Sequence, residues 1–291
     1  MKLQLYDYPG QEEIKFGKIK TFDIEMNTFP DKRMRTIRVW LPESYDGSRK
    51  FPVLYLHDAQ NLFAGFDERY KWYVEREMEA LSRQGIECIV VGIDTAPTRF
   101  EELCPPYPLN PDFLSFLPPE RRKMISMANP SGDKYAEFIA FTLKPLIDES
   151  FMTIPDAANT GIGGASMGGL ESFYMALRFP DIFGRALVFS PAFTAHSMDF
   201  VLERLNGYDF SGLKDSRIFM YNGGQTMDET LTDAAFAVFD LMIKSMSYKQ
   251  IALITDSRQP HFESAWQRYF GEAVYYLFAE DNSVVMPPVI K

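Results

Sequence analysis

Residues 159–170 read Asn-Thr-Gly-Ile-Gly-Gly-Ala-Ser-Met-Gly-Gly-Leu. Residues 164–168 match the pattern Gly-x-Ser-x-Gly, which places a serine on a sharp turn when a strand precedes it and a helix follows. The apolar run 160–165 predicts the strand, and the apolar spacing over 167–179 predicts the helix. Ser166 is therefore predicted to expose its hydroxyl at a helix N-terminus, which favours developing negative charge. A phosphate loop would also be glycine-rich, but no Gly-Lys-Ser/Thr follows.

Apolar runs and helical patterns alternate on both sides of this segment. Short, continuously apolar runs predict strands covered on both faces, at residues 53–56, 88–93, 185–189, 217–221 and 250–255. Helical periodicity lies between and after them, at residues 70–83, 134–149, 229–246 and 262–278. Near the N-terminus, period-two alternation predicts a hairpin of residues 18–29 and 33–41. The whole pattern predicts an α/β fold with a mainly parallel central sheet flanked by helices.

Composition narrows the class of protein. The 291 residues are 46% hydrophobic and 24% charged, which is typical of a globular chain, and we expect one domain over residues 1–291. Forty acidic and thirty basic residues give a net charge of −10, which disfavours nucleic acid and membrane as partners. The two cysteines form no metal-binding pattern, so no metal site is expected. The N-terminus lacks a secretory pattern, which predicts a cytoplasmic protein.

One segment interrupts the alternation. Residues 98–132 contain seven prolines and the aromatic residues Phe100, Tyr107, Phe113 and Phe116, without a clear strand or long helix. Loops of this length in compact domains are usually functional or disordered, and the aromatic content disfavours disorder. The segment follows the strand 88–93, and ligands of open α/β sheets bind outside the carboxyl ends of the strands. We therefore predict a lid-like insertion over the site, the alternative being a surface appendage that forms a homo-oligomer contact.

A serine hydroxyl needs a base, and the chain has only three histidines, His57, His196 and His261. In α/β-hydrolases the chain order is serine, acid, histidine, and the acid follows a strand between the other two. His57 precedes Ser166, and only one strand separates Ser166 from His196. His261 remains as the candidate base.

The acid is predicted in the loop that follows strand 217–221, where Asp228 and Glu229 are both available. Thr226 and Glu229 also have the spacing of a capping box, which would occupy Glu229 structurally. Asp228 is therefore favoured and Glu229 is the alternative acid. A third interpretation makes both ordinary carboxylates at a helix start.

An oxyanion intermediate needs backbone N–H donors, one from the residue after the nucleophile and one from the loop after the third strand. These positions predict Met167 and Ala59, with Gln60 as an alternative to Ala59. Aromatic side chains suit aryl acyl groups, and we predict that Gln60, Phe63 and Phe193 contact the substrate. Further aromatic candidates are Phe66, Tyr107, Phe113 and Phe116.

Four blocks in order resemble the esterase D and feruloyl esterase group of α/β-hydrolases over residues 33–278. The blocks are residues 54–63 (Leu-Tyr-Leu-His-Asp-Ala-Gln-Asn-Leu-Phe), the Gly-x-Ser-x-Gly turn, residues 189–193 (Phe-Ser-Pro-Ala-Phe) and residues 260–266 (Pro-His-Phe-Glu-Ser-Ala-Trp). The resemblance implies a carboxylic ester hydrolase without a cofactor, in which Ser166 and His261 match the nucleophile and the base. Ala59 stands where glycine is expected, and the acid loop is not a clean match, so Asp228 and Glu229 both stay open.

The leading hypothesis is a serine esterase with a Ser-His-Asp triad, acting on small acyl or hydroxycinnamoyl esters as its small-molecule substrates. An acyltransferase that uses the same triad is the first alternative. The second alternative is a non-catalytic binding protein that keeps the α/β-hydrolase fold.

Overall fold

A computed structural model describes residues 3–65, 70–115, 119–126 and 129–281. Its strands form one nine-stranded sheet. The strands are β1 (Tyr6–Asp7), β2 (Lys18–Glu25), β3 (Met34–Leu41), β4 (Val53–His57), β5 (Ile89–Ile93), β6 (Thr160–Ala165), β7 (Arg185–Phe189), β8 (Arg217–Gln225) and β9 (Ile251–Pro260). They lie in the order β1-β2-β3-β5-β4-β6-β7-β8-β9.

Strand direction divides the sheet in two. β1, β2 and β3 are antiparallel to one another, and β3 is antiparallel to β5. The remaining neighbours, from β5 through β4, β6, β7 and β8 to β9, are all parallel. The predicted mainly parallel sheet with an N-terminal hairpin is therefore confirmed. Parallel strands end at the same edge, so the loops that carry the candidate residues meet there.

The described α-helices flank this sheet. They are α1 (Val74–Ser82), α2 (Arg99–Glu102), α3 (Pro111–Ser115), α4 (Pro119–Ser126), α5 (Gly132–Phe138), α6 (Lys144–Ser150), α7 (Met167–Arg178), α8 (Met198–Asn206), α9 (Met227–Met242) and α10 (Glu263–Phe278). A π-helical turn, Ile139–Leu143, joins α5 to α6 within the predicted helix 134–149. α8 is an addition to the predicted elements. No helix in the described part of the chain is long and apolar enough to cross a bilayer.

The parallel strands supply two hydrophobic cores. In β4, Val53 and Tyr55 pack with residues of α5 through α9, whereas Leu54 and Leu56 pack with residues of α1 and α10. Every residue of β4 is buried. This burial on both faces explains why the strand has a continuous apolar sequence instead of an alternating one.

β8 and β9 extend beyond the ends that their apolar runs predict. β8 continues to Gln225 and β9 continues to Pro260. An irregularity between Gly223 and Gln225 precedes the pairing of Gln225 with Pro260. The extension is polar and therefore invisible to hydrophobic patterning, but it places the start of α9 beside the start of α10.

Backbone hydrogen bonds close the base of the 98–132 insertion. The Ser131 amide donates to the Glu101 carbonyl, and the Gly132 amide donates to the Cys104 carbonyl, both at 2.8 Å. α2, α3 and the described residues of α4 lie within the insertion, so it contains short helices in place of the irregular loop that the sequence suggests.

The middle of the insertion contacts the carboxyl edge of the sheet. The Asn110 amide donates to the Ala195 carbonyl at 2.8 Å, in the loop after β7. Phe113 is partly buried and packs against the hydrophobic core that contains residues of α5 through α9. Phe116, a predicted aromatic candidate, lies outside the described residues, as does Phe66.

A buried carboxyl group of α7 packs against the C-terminal end of this insertion. Glu171 of α7 is fully buried, and neither of its oxygens has a hydrogen-bond partner among the described residues. A Cβ on Gly132 would lie 2.4 Å from Glu171 Oε2, so the carboxyl group fills the space that this glycine leaves. Burial raises the pKa of Glu171 well above its ordinary value, and the negative charge of Asp133 raises it further.

We expect Glu171→Gln to stabilise the protein at pH 8 more than at pH 5. The folded state favours the protonated carboxyl group, so the folded chain binds a proton that the unfolded chain releases above pH 4.5. Wild-type stability therefore decreases as the pH rises above that value, and the amide removes this dependence. Thermal unfolding at both pH values measures the effect, with the exposed Glu203→Gln as control. An equal change in Tm at pH 5 and pH 8 would contradict the prediction.

Candidate active site

Ser166 occupies the turn between β6 and α7. Its φ of 60° and ψ of −120° lie in a region that side-chain-bearing residues rarely adopt. The Ser166 amide donates to the Phe189 carbonyl at 2.9 Å, and the Ala192 amide donates to the Ser166 carbonyl at 3.2 Å. Ser166 is half-buried, whereas every other residue from 160 to 170 is buried. The turn therefore presents one side chain, the candidate nucleophile.

Glycines around this turn permit the close approach of β6, β7 and α7. A Cβ on Gly164 would lie 3.0 Å from the carbonyl carbon of Gly168, and a Cβ on Gly169 would lie 2.5 Å from the carbonyl oxygen of Phe189. The backbone atoms cannot move away without shifting α7 on the sheet. The glycines of the sequence pattern thus have a steric role in positioning Ser166 and the N-terminus of α7.

His261 and Asp228 form a short hydrogen bond. His261 Nδ1 lies 2.7 Å from Asp228 Oδ1, and the Asp228 side chain is fully buried while that of His261 is 13% exposed. The carboxylate can accept a hydrogen bond from Nδ1–H, and in that tautomer Nε2 is left as the proton acceptor. This tautomer is the one that a general base requires.

The second oxygen of Asp228 is also occupied. Asp228 Oδ2 accepts from the Gly223 amide and from Ser190 Oγ, both at 2.8 Å. Trp266 Nε1 donates to the same Ser190 hydroxyl at 2.9 Å, and the indole ring lies edge-on to the His261 ring at 5.0 Å. Ser190 therefore connects Asp228, the indole beside His261 and the loop that binds Ser166.

Ser190 is missing from the set of residues predicted from sequence. The available signal was its position directly after β7, at the edge where the other candidates lie. Its φ of 41° is a further sign of a constrained position, but only the structure provides it.

The two predicted acids differ completely in environment. Asp228 points into the protein, whereas Glu229 is exposed on the first turn of α9. The predicted capping box is wrong, because Thr226 makes no side-chain capping bond to α9. Thr226 Oγ1 instead donates to the Gln225 carbonyl at 2.6 Å and accepts from the His261 amide at 2.9 Å.

The loop after β4 packs against the first turn of α7. Asp58 adopts a left-handed conformation with φ of 58°, and a 3-10 turn, Ala59–Asn61, follows it. A Cβ on Gly168 would lie 3.5 Å from Asp58 Oδ2, so this loop reaches the helix that begins at Met167. The two predicted N–H donors, Ala59 and Met167, thus belong to neighbouring segments.

An ion pair ties this loop to the insertion. Arg99 of α2 binds Asp58 with two hydrogen bonds, Nε to Oδ1 at 2.6 Å and NH2 to Oδ2 at 2.8 Å. Burial alone would raise the pKa of the Asp58 carboxyl, but the charge and hydrogen bonds of Arg99 lower it below its ordinary value. The carboxylate therefore stays ionised beside the candidate oxyanion site.

The other two histidines, His57 and His196, are buried inside the protein. Burial lowers the pKa of His57 to about 4, and its Nδ1 lies 2.9 Å from the Tyr135 hydroxyl. His196 is buried against the insertion, with Nδ1 3.2 Å from the Pro108 carbonyl. Among the described residues, no group of three or more His, Cys, Asp or Glu side chains is arranged to hold a metal ion.

The three predicted substrate contacts lie in different environments. Gln60 Oε1 accepts from the Thr95 amide at 3.1 Å, so this side chain braces the loop before the insertion. Phe63 is fully buried in the core that contains α1 and α10, and the structure assigns it to packing instead of a binding surface. Phe193 is buried but lines a cavity beside α7.

A family model described as "Putative esterase" matches residues 30–270. The chain belongs to this esterase family. The α/β-hydrolase fold is thereby confirmed, and the protein is a carboxylic ester hydrolase. This agrees with the resemblance that the four sequence blocks carry.

Relatives and solved structures are consistent with this family. The chain is 24% identical to the Bacillus subtilis protein YbbA over 86% of this chain and 95% of that protein. It is 26% identical to an endo-1,4-beta-xylanase/feruloyl esterase of Xylanibacter ruminicola, over 61% of this chain but 22% of that longer protein. A solved ferulic acid esterase has a TM-score of 0.65 and 18% identity, covering 90% of this chain and 98% of its own, and shows the shared fold.

We expect Ser190→Ala to reduce the free energy of unfolding by about 1–3 kcal/mol, because the buried Asp228 oxygen and the Trp266 N–H both lose a hydrogen-bond partner. Denaturant-induced unfolding measures the loss. Ser197→Ala is the matched control, since Ser197 is exposed and makes no side-chain capping bond to α8. Equal effects of the two substitutions would show that the Ser190 hydroxyl does not stabilise the site.

Proposed function

We propose that this esterase is a serine carboxylic ester hydrolase with Ser166 as nucleophile, His261 as general base and Asp228 as the acid of the triad. The observation that carries the proposal is the 2.7 Å bond from His261 Nδ1 to the fully buried Asp228 carboxylate. A buried carboxylate is costly unless it is hydrogen-bonded, and this one is bonded through both oxygens.

In the first half of the reaction, His261 Nε2 accepts the Ser166 proton while Oγ attacks the ester carbonyl carbon. Asp228 stabilises the imidazolium that forms. The Met167 and Ala59 amides donate to the oxyanion of the tetrahedral intermediate. When this intermediate collapses, the bond between the carbonyl carbon and the alcohol oxygen breaks. The alcohol oxygen takes the proton from His261 and departs, and the acyl group stays on Ser166.

In the second half, a water molecule replaces the alcohol. His261 accepts a proton from the water as it attacks the acyl carbon, and the same amides stabilise the second oxyanion. Collapse returns the proton to Ser166 Oγ and releases the carboxylic acid. Arg99 and Asp58 act indirectly in this scheme, because their ion pair holds the loop that supplies the Ala59 amide.

For the substrate we propose small acyl or hydroxycinnamoyl esters. Phe193 follows directly on Ala192, whose amide binds the Ser166 carbonyl, so this aromatic residue belongs to the loop that contacts the proposed nucleophile. Two similar proteins, a xylanase/feruloyl esterase and a ferulic acid esterase, support the same class.

We expect Ser166→Ala to reduce kcat on p-nitrophenyl acetate by roughly 10⁶-fold and Asp228→Asn by roughly 10⁴-fold. Glu229→Gln is the matched control and should change kcat by less than about twofold, because Glu229 is exposed. A fluorophosphonate probe should label the wild type at Ser166 and should not label Ser166→Ala. Unchanged hydrolysis by Ser166→Ala would show that Ser166 is not the nucleophile. A larger loss of kcat in Glu229→Gln than in Asp228→Asn would show that Glu229, and not Asp228, is the acid.

Product analysis distinguishes a hydrolase from an acyltransferase on the same triad. With an added acceptor alcohol, we expect free acid to remain the main product. Predominant transfer to the alcohol would assign the transferase reaction instead. A folded protein that neither labels nor hydrolyses esters would indicate a binding protein.

We expect kcat/KM to be higher for acetyl and feruloyl esters than for a palmitoyl ester of the same alcohol. The described residues near Ser166 offer single aromatic rings such as Phe193, and a C16 chain would need a long apolar channel. A panel of acetyl, butyryl, feruloyl and palmitoyl esters measures this preference. A clear palmitoyl preference would overturn the substrate class but leave the triad untouched.

A further inference from the structure

A cavity of about 290 Å³ lies between α7 and α8. Leu170, Phe173 and Leu177 of α7 form one wall, and Val201 and Leu205 of α8 form the opposite wall. Pro105 and Tyr107 of the insertion, together with Phe193 and His196 of the loop after β7, complete the lining. The cavity is thus assembled from four separate segments of the chain.

This cavity extends away from the proposed catalytic residues. Ser166, Asp228 and His261 are absent from its lining, whereas Arg178 at the end of α7 belongs to it. Arg178 lies twelve residues after Ser166, which corresponds to about 18 Å along a helix that rises 1.5 Å per residue. The cavity therefore begins at Leu170, one turn after Ser166, and extends along α7 away from the residues proposed to react with esters.

The walls favour a flat apolar group. The Phe173 and Phe193 rings meet edge to face with their centroids 5.0 Å apart, and Tyr107 packs edge-on against His196 at 5.4 Å. Offset and edge-to-face contacts with such walls stabilise an aromatic ring. Burial lowers the pKa of His196, so this imidazole lines the cavity in its neutral form.

The rim carries positive charge that the described acidic residues do not neutralise fully. Arg178 pairs with Glu137. Arg204 has no carboxylate partner among the described residues, and its guanidinium lies over the Tyr107 ring at 4.9 Å from the centroid. An arginine held by a ring at the mouth of an apolar cavity is well placed to bind a carboxylate in the bidentate manner.

We propose that this cavity is a second binding site, for an aromatic monocarboxylate. The ring occupies the space between α7 and α8, and the carboxylate binds Arg204 at the rim. Because Pro105 and Tyr107 line the same space, the bound molecule also contacts the insertion and holds this part of it against α7 and α8. The site uses none of the triad residues, but it shares Phe193 with the substrate contact proposed above.

Binding of 2-naphthoate, measured by equilibrium dialysis, tests this site. The protein is first blocked at the proposed nucleophile with a fluorophosphonate, so that binding at the catalytic site does not contribute. We expect one molecule of 2-naphthoate per chain, and at least tenfold weaker binding of the neutral 2-naphthamide. Equal binding of acid and amide would overturn the carboxylate recognition, and no binding at millimolar concentration would overturn the site.

Variants locate the binding. Arg204→Gln should weaken 2-naphthoate binding at least tenfold, whereas Arg76→Gln should leave it unchanged. Arg76 is the matched control because it is exposed and also lies over a tyrosine ring, Tyr73, at 3.8 Å, but on α1. Equal effects of the two substitutions would contradict the site.

A second variant fills the cavity. Val201→Trp should abolish 2-naphthoate binding while ester hydrolysis continues, and thermal unfolding verifies that it folds. Retained binding in folded Val201→Trp would place the ligand elsewhere. The comparisons of acid with amide and of variant with wild type can also be made with unblocked protein. They therefore remain valid if Ser166 does not react with the fluorophosphonate. That failure would contradict only the catalytic proposal.

Discussion

The buried carboxylate of Asp228 is the interaction on which the arrangement of the site depends. It accepts hydrogen bonds from His261 Nδ1, Ser190 Oγ and the Gly223 amide. These donors lie after β9, after β7 and within β8, so they meet only when the three strands are neighbours in the sheet. A buried charge that loses a donor is strongly destabilised. The fold and the orientation of the His261 ring are therefore coupled through the Asp228 side chain.

Two strand-to-helix turns in this edge of the sheet have nearly the same backbone. Ser166 has φ and ψ of 60° and −120°, and Thr226 has 59° and −129°. Each follows a pair of glycines and an intervening residue, and each precedes a methionine that begins a helix. The first turn presents a hydroxyl group at the surface of the site. The second directs Asp228 inward and uses its own hydroxyl to bind the His261 amide. The same strained conformation thus positions Ser166 and the Asp228–His261 pair.

The insertion is joined to the site through polar contacts. Arg99 binds Asp58 at the start of the loop that holds Ala59, while Glu171 fills the space beneath Gly132 at the other end of the insertion. The Asp58 and Glu171 carboxyl groups both have little access to water. The pKa of Asp58 is nevertheless lowered from its ordinary value, whereas that of Glu171 is raised. The neighbouring Arg99 guanidinium lowers the pKa of Asp58, whereas burial and the charge of Asp133 raise the pKa of Glu171.

The sequence by itself determined the features that depend on local patterns: the alternation of strands and helices, the Gly-x-Ser-x-Gly turn, and His261 as the one histidine compatible with the chain order. Tertiary structure alone decided which of two adjacent carboxylates is buried, that Phe63 belongs to the core, and that Ser190 binds both Asp228 and Trp266. Ser190 and Trp266 are separated by 76 residues. Burial and hydrogen-bond partners at such distances depend on how the strands are ordered in space, and neither composition nor periodicity records that order.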